Sequence, residues 1–301
     1  MKITKLFLPV FVLAIAFTLN ACSDDSTTSS EMQDPSITEI AAANAQFSTL
    51  VGALQATGLD EALDGEGQFT VFAPTNDAFA ALPEGTLESL TEEQLEAILL
   101  YHVLGAEVLS GQLEAQQAPE TLSGEEIFVV ASNNGVTVNA AASVTSADIE
   151  ARNGVIHVID QVLLPDAFGT IVDNAAKRYF LSSLVQAVIQ ADLVDALLGD
   201  GPFTVFAPTD DAFAAIANIA ADLTVEELTD VLLYHVIQGE VLSTDLQPSQ
   251  EATTLNGETI TIEVSGGAAT INGTSGITMV DIRGTNGVIH VIDEVLLPSA
   301  D

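Results

Sequence analysis

Four histidines are the residues best equipped for acid/base or metal chemistry in this 301-residue chain, and they form two matched pairs, His102 with His235 and His157 with His290. Two histidines in each half, with Asp160 or Asp293 nearby, are donor types from which a metal triad is built. Their surroundings argue for a different role. Leu95, Ile98, Leu99 and His102 fall at i, i+3, i+4 and i+7, as do Leu228, Val231, Leu232 and His235, so each histidine sits on the apolar stripe of a helix. Strand alternation puts His157 on one face with Val155 and Ile159 while Asp160 points to the other. A histidine on an apolar face is usually a core residue with its hydrogen bonds met. The chain contains no H-E-x-x-H, G-x-S-x-G, Walker loop, EF-hand spacing or catalytic cysteine. No catalytic residue, metal or cofactor is expected, and the expectation is a protein that is not an enzyme. An envelope metal-dependent enzyme built on the paired histidines is the alternative. Glu125-Glu126 and Asp210-Asp211 offer the oxygen ligands Ca2+ prefers, but without a dedicated spacing they read as a solvated face.

The elements that position these residues occur twice. "FTVFAPT" stands at Phe69 and Phe203, "LLYHV" at Leu99 and Leu232, and "NGVIHVID" at Asn153 and Asn286, always in the same order and about 133 residues apart. A period of that length means tandem domains, not a solenoid. In each copy an amphipathic helix comes first: Phe47, Leu50, Val51 and Leu54 repeat as Leu181, Leu184, Val185 and Val188. A short buried strand follows from Phe69 to Ala73, and Thr75 with Asp77 opens the next helix. Thr91 with Gln94 and Thr224 with Glu227 form capping boxes. Later segments alternate as strands, for instance Ile260, Ile262 and Val264, and Asn134-Gly135 marks a hairpin turn. Helices first and strands after, with strands also early and at the close, predict an α+β fold with a largely antiparallel sheet in each copy. The repeated "FTVFAPT" reads as a brace: its phenylalanines fill a core and its threonine starts a helix.

These anchors resemble the fasciclin domain family: the first box "FTVFAPTNDAF", the Tyr101-His102 and Tyr234-His235 pairs, and the second box "NGVIHVIDQVLLP" or "NGVIHVIDEVLLP". The resemblance runs from about Ile37 to Pro298. It implies two tandem β-wedge domains with helices packed over each sheet, and an extracellular adhesion or interaction role, generally without catalysis. In animal members an Asp-Ile pair just ahead of the second box, together with the Tyr-His segment, is associated with integrin binding. On that resemblance the candidate adhesion residues are Asp148, Ile149, Tyr101 and His102 in the first copy, and Asp281, Ile282, Tyr234 and His235 in the second. The residues alone also allow a bland reading, in which the aspartate closes a loop and the isoleucine packs beneath it.

The charge balance, 6 Lys plus Arg against 43 Asp plus Glu for a net charge of -37, repels nucleic acid and anionic lipid surfaces. At the N-terminus Lys2 and Lys5 precede an apolar run from Leu6 to Phe17, the layout of an export signal. Leu19-Asn20-Ala21-Cys22 resembles the lipobox of bacterial lipoproteins, and Cys22, the one cysteine, is the expected lipidation site. The expected layout is a signal at 1–21, a polar tether at 22–36, and domains at 37–166 and 167–301, joined by a short linker. The function expected is cell-surface adhesion or ligand capture by an outer membrane lipoprotein, held to the membrane through its N-terminal lipid only. Expected partners are an extracellular polysaccharide, a matrix protein or another copy of the chain, and not nucleic acid. An inward-facing envelope spacer is a further alternative.

Overall fold

A computed structural model describes residues 34–65, 67–83 and 85–299. The expected lipidation site Cys22, the expected export signal and most of the expected tether lie outside the described residues. Each copy opens with a short helix, Ile37–Ala43 or Ile171–Lys177. Both helices begin at a capping box, Ser36 with Glu39 and Thr170 with Asp173, which satisfies amides that the first turn leaves without helical partners. The amphipathic helices Ser48–Thr57 and Ser182–Gln190 follow, turning Leu50, Leu54, Leu184 and Val188 inward. The capping boxes at Thr91 and Thr224 start the helices Glu92–Tyr101 and Val225–Tyr234. His102 and His235 lie one residue past those helices, as their C-caps, and both are buried.

Among the described residues each copy folds a seven-stranded sheet. In the first copy the strands are β1 (Phe69–Pro74), β2 (Val103–Leu104), β3 (Gln116–Gln117), β4 (Val129–Ser132), β5 (Gly135–Val138), β6 (Ala142–Ala151) and β7 (Gly154–Ile159), in the spatial order β2-β1-β7-β6-β5-β4-β3. In the second copy β8 (Phe203–Pro208), β9 (Val236–Gln238), β10 (Ser249–Thr253), β11 (Thr259–Ser265), β12 (Ala268–Ile271), β13 (Ser275–Gly284) and β14 (Gly287–Ile292) take the matching order. The sheets are largely antiparallel; the exceptions are the pairs β1 with β7 and β8 with β14, which run parallel. Those are the two boxes of each copy. Their strands are covered on both faces, which explains why they read as unbroken apolar runs and not as alternation.

Each sheet therefore separates two cores. Val71, Ala73, Ile156 and Val158 meet the helices, while Phe72 and Ile159 face Tyr101, Ile127, Val129 and Val138 on the other side. Filling a core position with an aliphatic or aromatic side chain contributes about 1.5–3 kcal/mol. At the start of the second box Asn153 accepts a hydrogen bond from the Ile37 amide and donates to the Leu63 carbonyl, tying the first helix to the sheet; Asn286 does the same with Ile171 and Leu197. Gly154 beside it is at φ +140°, where an added Cβ would lie 1.9 Å from the Phe69 carbonyl oxygen. Only glycine fits the crossing. The hairpin at Asn134-Gly135 is shifted by one residue from expectation: Ser132 pairs with Gly135, so Asn133 and Asn134 form the turn and Gly135 takes the positive φ at the head of β5.

The two copies meet at a built joint. Asp166, at the end of the first copy, binds both Lys177 and Arg178 of the second, and Lys177 Nζ also donates to the Leu164 carbonyl. The Arg178 guanidinium lies 5.0 Å from the centre of the Phe128 ring, a cation–π contact in a buried setting. Phe128 in turn meets Tyr179 and Phe180 edge-on at 6.1 and 5.9 Å between centroids.

Candidate functional site

The Asp-Ile candidates lie where the long strand β6 loses register with β7, between Ser146 and Ile149, and where β13 does the same between Met279 and Ile282. There Asp148 and Asp281 adopt left-handed backbone, φ +58° and +59°, a conformation aspartate tolerates better than most residues. The Asp148 carboxylate accepts from the Ser110 amide at 2.7 Å and from the Ser110 hydroxyl at 2.5 Å. Asp281 accepts from the Ser243 amide and hydroxyl at 2.8 and 2.5 Å. The Ser110 hydroxyl and amide hold Asp148 below the usual carboxylate range. Burial pushes Asp281 upward, but the Ser243 hydroxyl and amide outweigh it and the net shift is also downward.

His157 completes this arrangement. The Asp148 amide donates to its Nδ1 at 3.3 Å, and Nε2 lies 2.8 Å from the Val108 carbonyl, so the proton sits on Nε2 and donates there. His290 repeats the pattern with Asp281 and Val241 at the same distances. A buried threonine secures the loop from beneath: Thr70 donates to the Ala106 carbonyl and accepts from the Val108 amide, as Thr204 does with Gly239 and Val241. The result is a surface loop, residues 106–110 or 239–243, pinned to the sheet by five hydrogen bonds. A loop held this rigidly keeps its surface shape without an ordering cost on binding.

The Tyr-His candidates lie elsewhere. Tyr101 is fully buried; its hydroxyl donates to the Glu126 carbonyl and accepts from Asn139 Nδ2, both at 3.0 Å, and burial drives its pKa upward. Tyr234 uses the Thr259 carbonyl and Asn272 in the same way. His102 Nδ1–H donates to the Ile98 carbonyl at 2.7 Å and Nε2 accepts from the Leu163 amide at 2.9 Å; His235 does this with Val231 and Leu296. Burial pulls both imidazoles down to about 4. All four histidines thus have both ring nitrogens engaged with backbone groups, and among the described residues no group of three or more His, Cys, Asp or Glu is placed to hold a metal ion. The structure exposes Asp148 and leaves Asp281 half-buried, each with the following isoleucine packed beneath, and puts the Tyr-His pair in the core.

Sequence reasoning missed Ser110, Ser243, Thr70 and Thr204. The signal was present, since Glu-Val-Leu-Ser recurs at Glu107–Ser110 and Glu240–Ser243.

The fold is a duplicated α+β wedge, each copy carrying the same pinned loop, and the fasciclin domain profile matches residues 45–165 and 180–298. The chain belongs to the fasciclin domain family. It is similar to Protein sll1483 of Synechocystis sp., 52% identical over 133 residues, which is 43% of this chain and 73% of that protein. It is also similar to transforming growth factor-beta-induced protein ig-h3 of Sus scrofa, 32% identical across 79% of this chain and 36% of that protein. Human periostin is 36% identical across 81% of this chain and 30% of its own length, so the chain spans about a third of these animal relatives. Among solved structures, the FAS1 domain pair of the insect cell adhesion molecule fasciclin I superposes with a TM-score of 0.62 at 20% identity, covering 85% of this chain and 98% of that one. At that identity the likeness concerns the fold.

Proposed function

We propose that this chain is an exported, lipid-anchored protein that works in adhesion or ligand capture at the cell surface through its two fasciclin domains. The observation that carries the proposal is the tandem pair itself, which shares its fold with the domain pair of an insect cell adhesion molecule. The proposed layout is an export signal at 1–21, a tether at 22–36 beginning at the lipidated Cys22, and domains at 37–166 and 167–301. In this reading a lipid on Cys22 supplies the anchor; among the described residues no helix is long and apolar enough to cross a membrane. The contact surface is the pinned loop with Asp148, and its twin with Asp281; Ile149 and Ile282, adhesion candidates on the family resemblance, pack beneath and support it. Tyr101, His102, Tyr234 and His235 act from below by holding the scaffold. The partner is a polysaccharide, a matrix protein or a second copy, with nucleic acid disfavoured by a net charge of -37. The engaged histidine nitrogens favour this reading over a metal-dependent enzyme.

Beads carrying the protein, passed under flow over immobilised glycans, matrix proteins and the protein itself, test the proposal. Saturable retention on one class, weakened by Asp148→Ala together with Asp281→Ala, is expected. Uniform failure to retain, with Ca2+ present, would overturn adhesion. Mass spectrometry of the envelope fraction checks the acyl chains on Cys22, and unmodified Cys22 would refute the anchor.

A further inference from the structure

The two copies differ at the cleft between the first three helices and the sheet. In the second copy this cleft is an apolar pocket of about 270 Å³, lined among others by Val172, Val188, Ile189, Val194 and Leu232. In the first copy the same region is divided: the deep part, floored by Leu54, Leu63 and Leu99, is down to about 10 Å³, and the outer part is a separate, more polar surface cleft of about 260 Å³. One substitution in the pocket wall follows that difference. Val188 stands where the first copy has Leu54, one carbon shorter.

The mouth has diverged as well. Val172, Ile189 and Val194 rim the pocket where the first copy carries Thr38, Gln55 and Asp60, and there the surface cleft is rimmed by Glu39, Asp60 and Asp64. Ile189 is 61% exposed, an unusual place for a large aliphatic side chain unless something covers it.

We propose that the second domain binds a small uncharged lipophilic molecule in this pocket and that the first domain does not. The lining is aliphatic apart from His235, whose two nitrogens are already bonded to Val231 and Leu296, so no side chain is free to recognise a polar group inside. A dry apolar cavity of roughly 150 Å³ accommodates benzene. By proportion about 270 Å³ takes on the order of a dozen non-hydrogen atoms, with any longer tail leaving through the mouth. A carboxylate or phosphate head would find no counter-charge, because all four cations among the described residues, Arg152, Lys177, Arg178 and Arg283, are paired with acids. The ligand is therefore neutral. This inference is independent of adhesion and concerns a different face from the pinned loops.

The test is titration of the full chain with the uncharged fluorophore N-phenyl-1-naphthylamine, beside a variant given the first copy's residues: Val172→Thr, Val188→Leu, Ile189→Gln and Val194→Asp. Each replacement already stands at the matching position of the same fold, and far-UV circular dichroism checks that the variant folds. Saturable uptake of one probe per parent chain is expected, weakened about tenfold or more in the variant. Displacement by 1-decanol but not by decanoate is expected too. Equal uptake by parent and variant would overturn the site, and equal displacement by decanoate would overturn its neutrality. A parent that takes up no probe but forms a dimer dispersed by Ile189→Gln would show that a second copy covers the mouth, and would overturn the ligand reading.

Discussion

Lowering the pH from about 7 to about 4.5 will remove much of the stability that His102 and His235 confer, one in each domain. Both imidazoles are pulled down to about 4 by burial, against an ordinary value near 6.5. The unfolded chain therefore takes up a proton at each site as pH falls below about 6.5, while the fold refuses it until pH nears 4. Stability is full above this window and declines through it. Over the whole window the loss is about 3 kcal/mol per histidine, and most of it has occurred by about pH 4.5. The acidic surface works in the opposite direction, since its self-repulsion relaxes as carboxylates protonate. A variant compared with its parent at the same pH cancels that contribution. His102→Gln retains an acceptor for the Leu163 amide but loses the donor to the Ile98 carbonyl, a cost of about 1–3 kcal/mol near pH 7. Because glutamine does not titrate, that deficit should vanish or reverse near pH 4.5. Urea unfolding followed by far-UV circular dichroism at the two pH values reads the difference. A deficit of equal size at both would refute the claim that a neutral, buried imidazole holds this position.

Arg178→Ala removes both the ion pair with Asp166 and the cation stacked on Phe128; breaking a buried pair costs about 3–5 kcal/mol, and calorimetry should show the two domains melting more independently than in the parent. An unchanged melting profile would count against the joint as a coupling element. Gly154→Ala forces a Cβ to within 1.9 Å of the Phe69 carbonyl oxygen, and Gly287→Ala to within 2.1 Å of that of Phe203. Each should cost more than about 4 kcal/mol and appear as loss of soluble, cooperatively unfolding protein. Asp148→Ala loses two hydrogen bonds and the tolerance of left-handed backbone, about 2 kcal/mol, whereas Asp148→Asn keeps the tolerance and an acceptor and should cost clearly less in the same urea assay.

Much of the fold is legible because it is written twice in periodic form. The capping boxes at Thr91 and Thr224 and the helical spacing of Leu50 and Leu54 are local signals, and the two boxes declare the central strands. What is not legible is nonlocal. That β1 and β7 run parallel follows from how the first and last strands of a copy meet in space, and no spacing along the chain encodes it. The histidines are legible as core residues, but their bond partners, Ile98 and Leu163 for His102, are backbone groups that leave no mark in residue identity. Ser110 and Thr70 looked like ordinary loop and strand residues, and only their recurrence at Ser243 and Thr204 marked them. The pocket in the second copy depends on a one-carbon difference at Val188, a quantity of volume that a hydrophobic pattern does not carry.

The joint between the copies has a polarity. Its plug is Lys177-Arg178-Tyr179-Phe180; the first copy has Ala43-Asn44-Ala45-Gln46 at those positions, all exposed. Its socket is Phe128 with Asp166, and the second copy has Thr261 and Ser299 there. Head-to-tail contacts of this kind extend into open filaments when every unit carries both halves. Here each copy carries one half, so the contact is used up within a single chain, and separate molecules cannot polymerise through it. A duplicated module has become a handed couple in which first and second are no longer exchangeable.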